Sequence, residues 1–401
     1  MIKPAFCQKN NPLDDVLEKN PNLFGAILNH PQKNEVQILY TQINRDKNNK
    51  AHFKTYSFNL NNQHYFYPAS TVKLPASVFA LEKLNELNIE NLDMNTVLKI
   101  DSAYHNQTKV DKDLTSKNGE ASIANYIKKI LLVSDNDAFN RIYEFTDRAT
   151  INKKLKKYGF KNSRIINRLS VGDNAESSKH TNPINFYNNN KLIYTKPAEF
   201  DAHEYPIKLN NLLRGKGYLG AHDKVINEPF DFTGKNVFQL TDQHEFIKRL
   251  FFPSSFPKNK QFNLKPKDYD FLYTYMSKYP TENDFPKYAK PNYYPAYCKF
   301  LFYGADESME INPNIRIFNK VGDAYGYSLD NIYLIDYENK VEFILSAVIQ
   351  SNKNEIYNDN KYEYESVCFP FMKNLGQKIY DLELKRDKKY LPNFNFMLNY
   401  K

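Results

Sequence analysis

A continuous helical pattern runs over residues 70–87. Val72, Ala76, Phe79, Ala80, Leu84 and Leu87 recur at three- and four-residue spacing. Leu74, Val78 and Leu81 widen that stripe until the helix is apolar almost all round, as in a helix buried at the centre of a fold. Pro75 falls in or near the first turn, where the missing N–H costs little because the first helical N–H groups have no internal partner. A second helix is predicted over residues 122–133. Ser134-Asp135-Asn136 interrupts it, and helix resumes over 138–145 and 151–158.

Residues 12–18 read as a short opening helix, and residues 24–28, 35–43 and 52–59 as strands. Near the other end, residues 316–322, 328–336 and 340–351 alternate and enrich β-branched and aromatic side chains as a three-strand meander would. A closing helix is expected over 363–384. Residues 168–190 are rich in Ser, Asn, Gly and Asp and read as a long loop, of the kind that is either functional or disordered. Between 200 and 310 the pattern is broken by prolines and aromatics, with helices expected only over 242–251 and 268–278.

This order predicts an α/β sandwich. One five-stranded antiparallel sheet forms from both ends of the chain (1–65 and 312–401), flanked by helices. A mainly helical subdomain (66–311) carries the 167–190 loop and an insertion around 200–300. No internal repeat is present. No apolar run reaches the roughly 18 residues of a membrane span, and the first residues lack the apolar core of an export signal.

Composition narrows the function classes only a little. A length of 401 residues allows two or three domains, and the net charge of +9 suits anionic partners or merely a basic, solvated surface. No Arg-rich arm or zinc-finger spacing points to nucleic acid. Cys7, Cys298 and Cys368 are few, distant and odd in number, which excludes a disulfide framework. The His residues are scattered, so neither a metal nor another cofactor is expected. The 31 Tyr and 29 Phe, with no Trp, fit packing and codon bias before any function.

Three short motifs carry chemistry. Ser70-Thr71-Val72-Lys73 is S-x-x-K, Ser134-Asp135-Asn136 is S-D-N, and Lys320-Val321-Gly322 is a K-T-G variant. Each is weak alone: S-x-x-K recurs at Ser255, and K-x-G recurs at Lys117 and Lys157. Context separates them. Ser70 opens a buried helix, whereas Ser255 sits between Pro253 and Pro257, and Lys320 ends one strand just before another. At i and i+3 on a helix, Lys73 can reach the Ser70 hydroxyl, a weak nucleophile that needs an adjacent base. A lysine is such a base only if burial and a nearby cation, here Lys320, depress its pKa. Ser134 would relay a proton to the leaving nitrogen, and Asn136 would bind the substrate amide or orient Lys73. The backbone N–H groups of Ser70 and Asp323 would form the oxyanion hole.

In these motifs and their order the chain resembles the serine β-lactamase and penicillin-binding protein superfamily, and most of all the class A β-lactamase-like serine hydrolases. The resemblance spans roughly residues 20–385. It implies an acyl-enzyme at Ser70 with β-lactams or related amides, or alternatively a D-alanyl-D-alanine peptidase or transpeptidase acting on cell-wall peptide, or a module of this fold with little turnover. It also implies substrates outside the cytoplasm, hence a periplasmic or extracellular protein exported from a longer precursor; without an export signal in the chain a cytoplasmic location is the alternative, and a monomer is favoured. Three departures stand out. The family's E-x-x-L-N loop is absent, leaving Asp173 or Glu176 as candidate deacylation bases, with Asn182-Pro183 as a remnant that orders the loop. Val321 replaces a substrate-binding Thr beside Gly322. No Arg occurs over 341–350 to hold a substrate carboxylate. The aromatic run around Tyr293, Tyr294 and Tyr297 could rim the cleft or simply pack.

Overall fold

The computed structural model describes residues 11–105, 107–171 and 175–400. A five-stranded antiparallel sheet organises them. Its strands are β1 (Gln37–Arg45), β2 (Ala51–Phe58), β3 (Ile315–Ala324), β4 (Tyr327–Asp336) and β5 (Val341–Gln350), in the spatial order β3-β4-β5-β1-β2. The two ends of the chain meet in the middle, where Tyr40 of β1 stands opposite Leu345 of β5. β4 and β5 are buried at every position, as strands covered by helices on both faces are.

Helices α1 (Pro12–Glu18), α2 (Pro21–Leu28) and α9 (Phe369–Lys385) cover one face of the sheet, with Phe24 edge-on to Phe371 at 5.9 Å. Residues 24–28, expected as a strand, are therefore helical. The run Phe-Gly-Ala-Ile-Leu is too short for its period to decide, and Pro21 at the first helical position tips it, with Phe24 and Ile27 three apart on the buried side.

The other face carries α7 (Leu240–Phe251) and α8 (Pro266–Ser277), where Phe251, Phe318 and Tyr333 pack together. Buried His244 of α7 ties that helix to the sheet, 2.7 Å from Thr41 Oγ1 and 2.9 Å from Ser346 Oγ. The same core continues into α3 (Lys73–Leu87), α4 (Ile123–Val133), α5 (Asn136–Thr146) and α6 (Arg148–Tyr158).

The long loop is shorter than its composition suggests. Ile184–Asn188 and Lys191–Lys196 form a hairpin whose first strand pairs with Val97–Ile100. Part of the insertion also has order. Gly217–Leu219 runs parallel to Ile356–Tyr357 after β5, and Phe230, Phe232, Tyr325 and Tyr357 stack into one aromatic cluster beneath them. Tyr325-Gly326 is the tight β3–β4 turn, both residues at positive φ as a two-residue hairpin of this hand requires. At the glycine, a Cβ would lie 2.5 Å from the Ser351 carbonyl, so no other residue fits.

Candidate active site

Ser70 lies in a single 3-10 turn, Ala69–Val72, that leads directly into α3. The turn is tight. Ala69 is held at φ 47°, a region non-glycine residues rarely occupy, and Thr71 Oγ1 donates to the Pro68 carbonyl at 2.6 Å. β3 crosses over it at Gly322. A Cβ on Gly322 would lie 2.8 Å from Ser70 N and 3.0 Å from Pro68 O, so only glycine lets the strand approach the nucleophile's backbone this closely.

Lys73 begins α3 and is fully buried. Its Nζ donates to the Ser134 carbonyl at 2.5 Å and to Asn136 Oδ1 at 2.6 Å, and stands 3.3 Å from Ser134 Oγ. Ser134 caps α4 in the left-handed conformation, and Asp135 caps α5 by accepting from Ala138 N at 2.8 Å. This helix-to-helix break turns the Ser134 hydroxyl toward both lysines: Lys320 Nζ donates to it at 2.8 Å. Lys320 also donates to the Val321 carbonyl at 2.8 Å.

Donor counting constrains the protonation state. The carbonyl and the Asn136 oxygen can only accept, so they take two Lys73 hydrogens. If Lys73 is neutral, its lone pair is left facing the one group there that can also donate, the Ser134 hydroxyl. Electrostatics favour that state. Burial pushes the Lys73 pKa well below its usual value, and the neighbouring Lys320 charge pushes it further. Burial lowers Lys320 as well, to about 8, with the nearby Asp323 and Asp330 acting against the shift. Both effects favour an amine at Lys73, while Lys320 keeps its proton below about pH 8, so the Ser134 hydroxyl lies between two nitrogens of different proton affinity.

Lys73, Ser134, Asn136 and Lys320 form one hydrogen-bonded group, whereas the expected contact between Lys73 and the Ser70 hydroxyl is not made. The Ser70 hydroxyl makes no hydrogen bond among the described residues. Asn136 orients Lys73, while its Nδ2 donates to Ser170 Oγ at 2.9 Å. Ser70, Asn136 and Asp323 line one cleft of about 680 Å³. Val321 does not line it; its side chain is buried in the core on the other face of the sheet.

The residues proposed for deacylation are not assembled in the same way. Asp173 lies outside the described residues, as does Cys7 among the cysteines. Glu176 is half exposed and pairs with Lys179 at 3.2 Å and His180 at 3.7 Å, away from the cleft wall. The loop itself is anchored from α5. Asn140 exchanges two 2.9 Å hydrogen bonds with Leu169, and buried Glu144 pairs with Arg168 at 3.2 Å. Asn182 is fully buried and accepts from Ala103 N at 3.0 Å. Tyr293 and Tyr297 pack with Tyr288 beside Leu132 and Val133 and do not line the cleft.

Sequence reading missed part of the cleft wall. Lys235 and Asn236 from the insertion, Tyr67 and Tyr325 from the aromatic cluster, and Asn358 and Tyr362 after β5 all line it. It also missed a buried brace behind Lys320. Lys299 donates to Asn319 Oδ1 at 2.7 Å, and Asn319 Nδ2 donates to Asp330 at 2.9 Å, fixing β3 against β4 one residue from Lys320. No group of three His, Cys, Asp or Glu that could hold a metal occurs among the described residues, and no described helix is long and apolar enough to cross a membrane.

A sheet built from both chain ends, with helices on its two faces and a helix buried between them, defines a β-lactamase-like fold. Residues 24–203 match the model of the β-lactamase enzyme family. Solved structures agree over nearly the whole chain. The TLA-1 extended-spectrum β-lactamase is 13% identical, covers 94% of this chain and 100% of its own, and superposes with a TM-score of 0.51. A class A β-lactamase from Bacteroides cellulosilyticus (12% identity, 93% and 98% covered, TM-score 0.51) and a β-lactamase from Desulfarculus baarsii (11%, 92% and 99%, 0.51) have the same architecture. No curated protein matches the sequence.

Proposed function

We propose that the protein is an active-site serine hydrolase acylated at Ser70, acting on β-lactams or related amides and esters. The observation that carries this reading is the Ser134 hydroxyl, held 3.3 Å from the Lys73 nitrogen and 2.8 Å from that of Lys320, with Asn136, which holds Lys73, lining the same cleft as Ser70. In the acylation step Ser70 Oγ attacks the substrate carbonyl carbon and its proton passes to neutral Lys73. Negative charge on the carbonyl oxygen is met by the backbone N–H groups of Ser70 and Asp323. As the C–N bond breaks, the proton moves from Lys73 through Ser134 Oγ to the leaving nitrogen. The Lys320 ammonium stabilises the Ser134 oxygen while it exchanges one proton for another.

Hydrolysis of the acyl-enzyme needs a base for water. Asp323 is the one carboxylate among the described residues that line the cleft, and Glu176 is engaged elsewhere. The second step is therefore expected to be slow, so that the acyl-enzyme accumulates. Mixing the protein with a chromogenic cephalosporin tests this: a burst close to one equivalent followed by a slow steady state is expected, and rapid linear turnover without a burst refutes slow deacylation.

A further inference from the structure

Asp323 follows Gly322, the residue at which β3 touches the Ser70 turn. Asp323 is an exposed residue that lines the same cleft as Ser70, and it makes no hydrogen bond or ion pair among the described residues. Most other charges nearby are engaged. Lys73 and Lys320 are buried and turned to Ser134, and Arg168 is bonded to Glu144 and to the carbonyls of Ser177 and His180. Lys235 lies over the Phe230 ring at 5.6 Å, on the insertion side of the aromatic cluster. On the strand side of Ser70 the cleft thus offers a substrate one unpaired charge, and that charge is negative.

We propose that Asp323 sets the substrate class of this cleft, selecting acyl donors that carry a cationic amine beside the reacting carbonyl and discriminating against those that carry a carboxylate there. This rests on the reading that Ser70 is the acylated residue. The physical basis is direct. A substrate docked on Ser70 brings its flanking group against the residue next to Gly322, inside walls that exclude part of the bulk water. There a unit charge at about 5–6 Å shifts binding by roughly tenfold or more in either direction. The walls are close enough to raise the Asp323 pKa even though the side chain is open to solvent, while Lys320 and Lys73 act against that rise and favour the anion.

The test uses three p-nitrophenyl esters of similar length: neutral (butyrate), cationic (β-alanine) and anionic (hemisuccinate). Acylation of the full chain is followed by release of nitrophenol and by intact mass. The cationic ester is expected to acylate at least about tenfold faster than the anionic one once each is corrected for its intrinsic reactivity. Asp323→Asn should collapse that ratio toward unity, and added salt should shrink it in the unaltered protein. An unchanged ratio in Asp323→Asn, with the neutral ester still labelling Ser70, overturns the assignment of Asp323 alone. Absence of any Ser70 adduct with the neutral ester overturns the acylation reading instead, so the two failures are distinguishable. Should the variant fold poorly, the salt dependence of the ratio decides: no dependence contradicts the proposal.

Discussion

Removing the Lys320 charge should move the pH dependence of acylation in a direction fixed by the structure. Lys73 and Lys320 flank one hydroxyl at 3.3 and 2.8 Å, so their nitrogens are at most about 6 Å apart. Two like charges at that distance, at an effective dielectric constant of about 20, repel by roughly 2.8 kcal/mol, or about two pKa units. In the native protein this repulsion helps to hold Lys73 neutral. In Lys320→Gln, which keeps a donor for Ser134 but loses the charge, the Lys73 pKa should rise by one to two units, to order of magnitude. The acidic limb of the acylation rate, which reports the fraction of neutral Lys73, must then move to higher pH. The two lysines titrate as a coupled pair, so the shift is largest below about pH 8, where Lys320 carries its proton. The assay is the single-turnover acylation rate across the pH range in both proteins, normalised to each plateau so that lost relay efficiency does not enter. A limb that stays in place, or moves to lower pH, would show that Lys320 does not tune Lys73 and would remove the electrostatic basis for Lys73 as the base.

Gly322→Ala should cost most of the acylation rate and roughly 1–3 kcal/mol of stability, because the new Cβ would press on Ser70 N and Pro68 O and push β3 off the nucleophile turn. Matched thermal melts and acylation rates would separate this from simple misfolding; a fully active Gly322→Ala would deny that β3 and the Ser70 turn act together. Lys320→Met should be more stable than the native protein at neutral pH. The Lys320 pKa is depressed to about 8 in the folded state, so the unfolded chain holds its proton more tightly. That penalty is of order 3 kcal/mol below about pH 8 and disappears as pH rises from about 8 to about 10.5. Denaturant midpoints should therefore differ most at neutral pH and converge in base; a variant less stable at pH 7 would contradict the sign.

Much of the site could be read before any coordinates, because its chemistry is local. Ser70 and Lys73 share one turn, Ser134 and Asn136 share one helix break, and Lys320 lies within an apolar strand, though in its middle and not at its end as expected. The sheet was legible for the same reason: three C-terminal strands follow each other through tight turns, and the N-terminal pair needed only to meet β5. Long-range placement was not legible. Phe24 to Leu28 has no period long enough to exclude a strand, and Ile184–Asn188 gains its partner from Val97–Ile100, far back in the chain. Lys235 and Tyr362 carry no motif, and reach the cleft only because the aromatic cluster around Tyr325 gathers the insertion and the segment after β5 onto one wall. Val321 shows the opposite error: a motif position implied substrate contact, but alternation along β3 turned its side chain into the core.

The central claim, a covalent acyl-enzyme at Ser70, is tested most directly by time-resolved intact mass spectrometry with peptide mapping. The protein is exposed to a saturating penicillin and, in parallel, to the uncharged p-nitrophenyl ester. One adduct per chain, mapped to Ser70, absent in Ser70→Ala and decaying slowly, is the expected result. An adduct that persists in Ser70→Ala, or no adduct with either reagent in the folded native protein, would contradict the account.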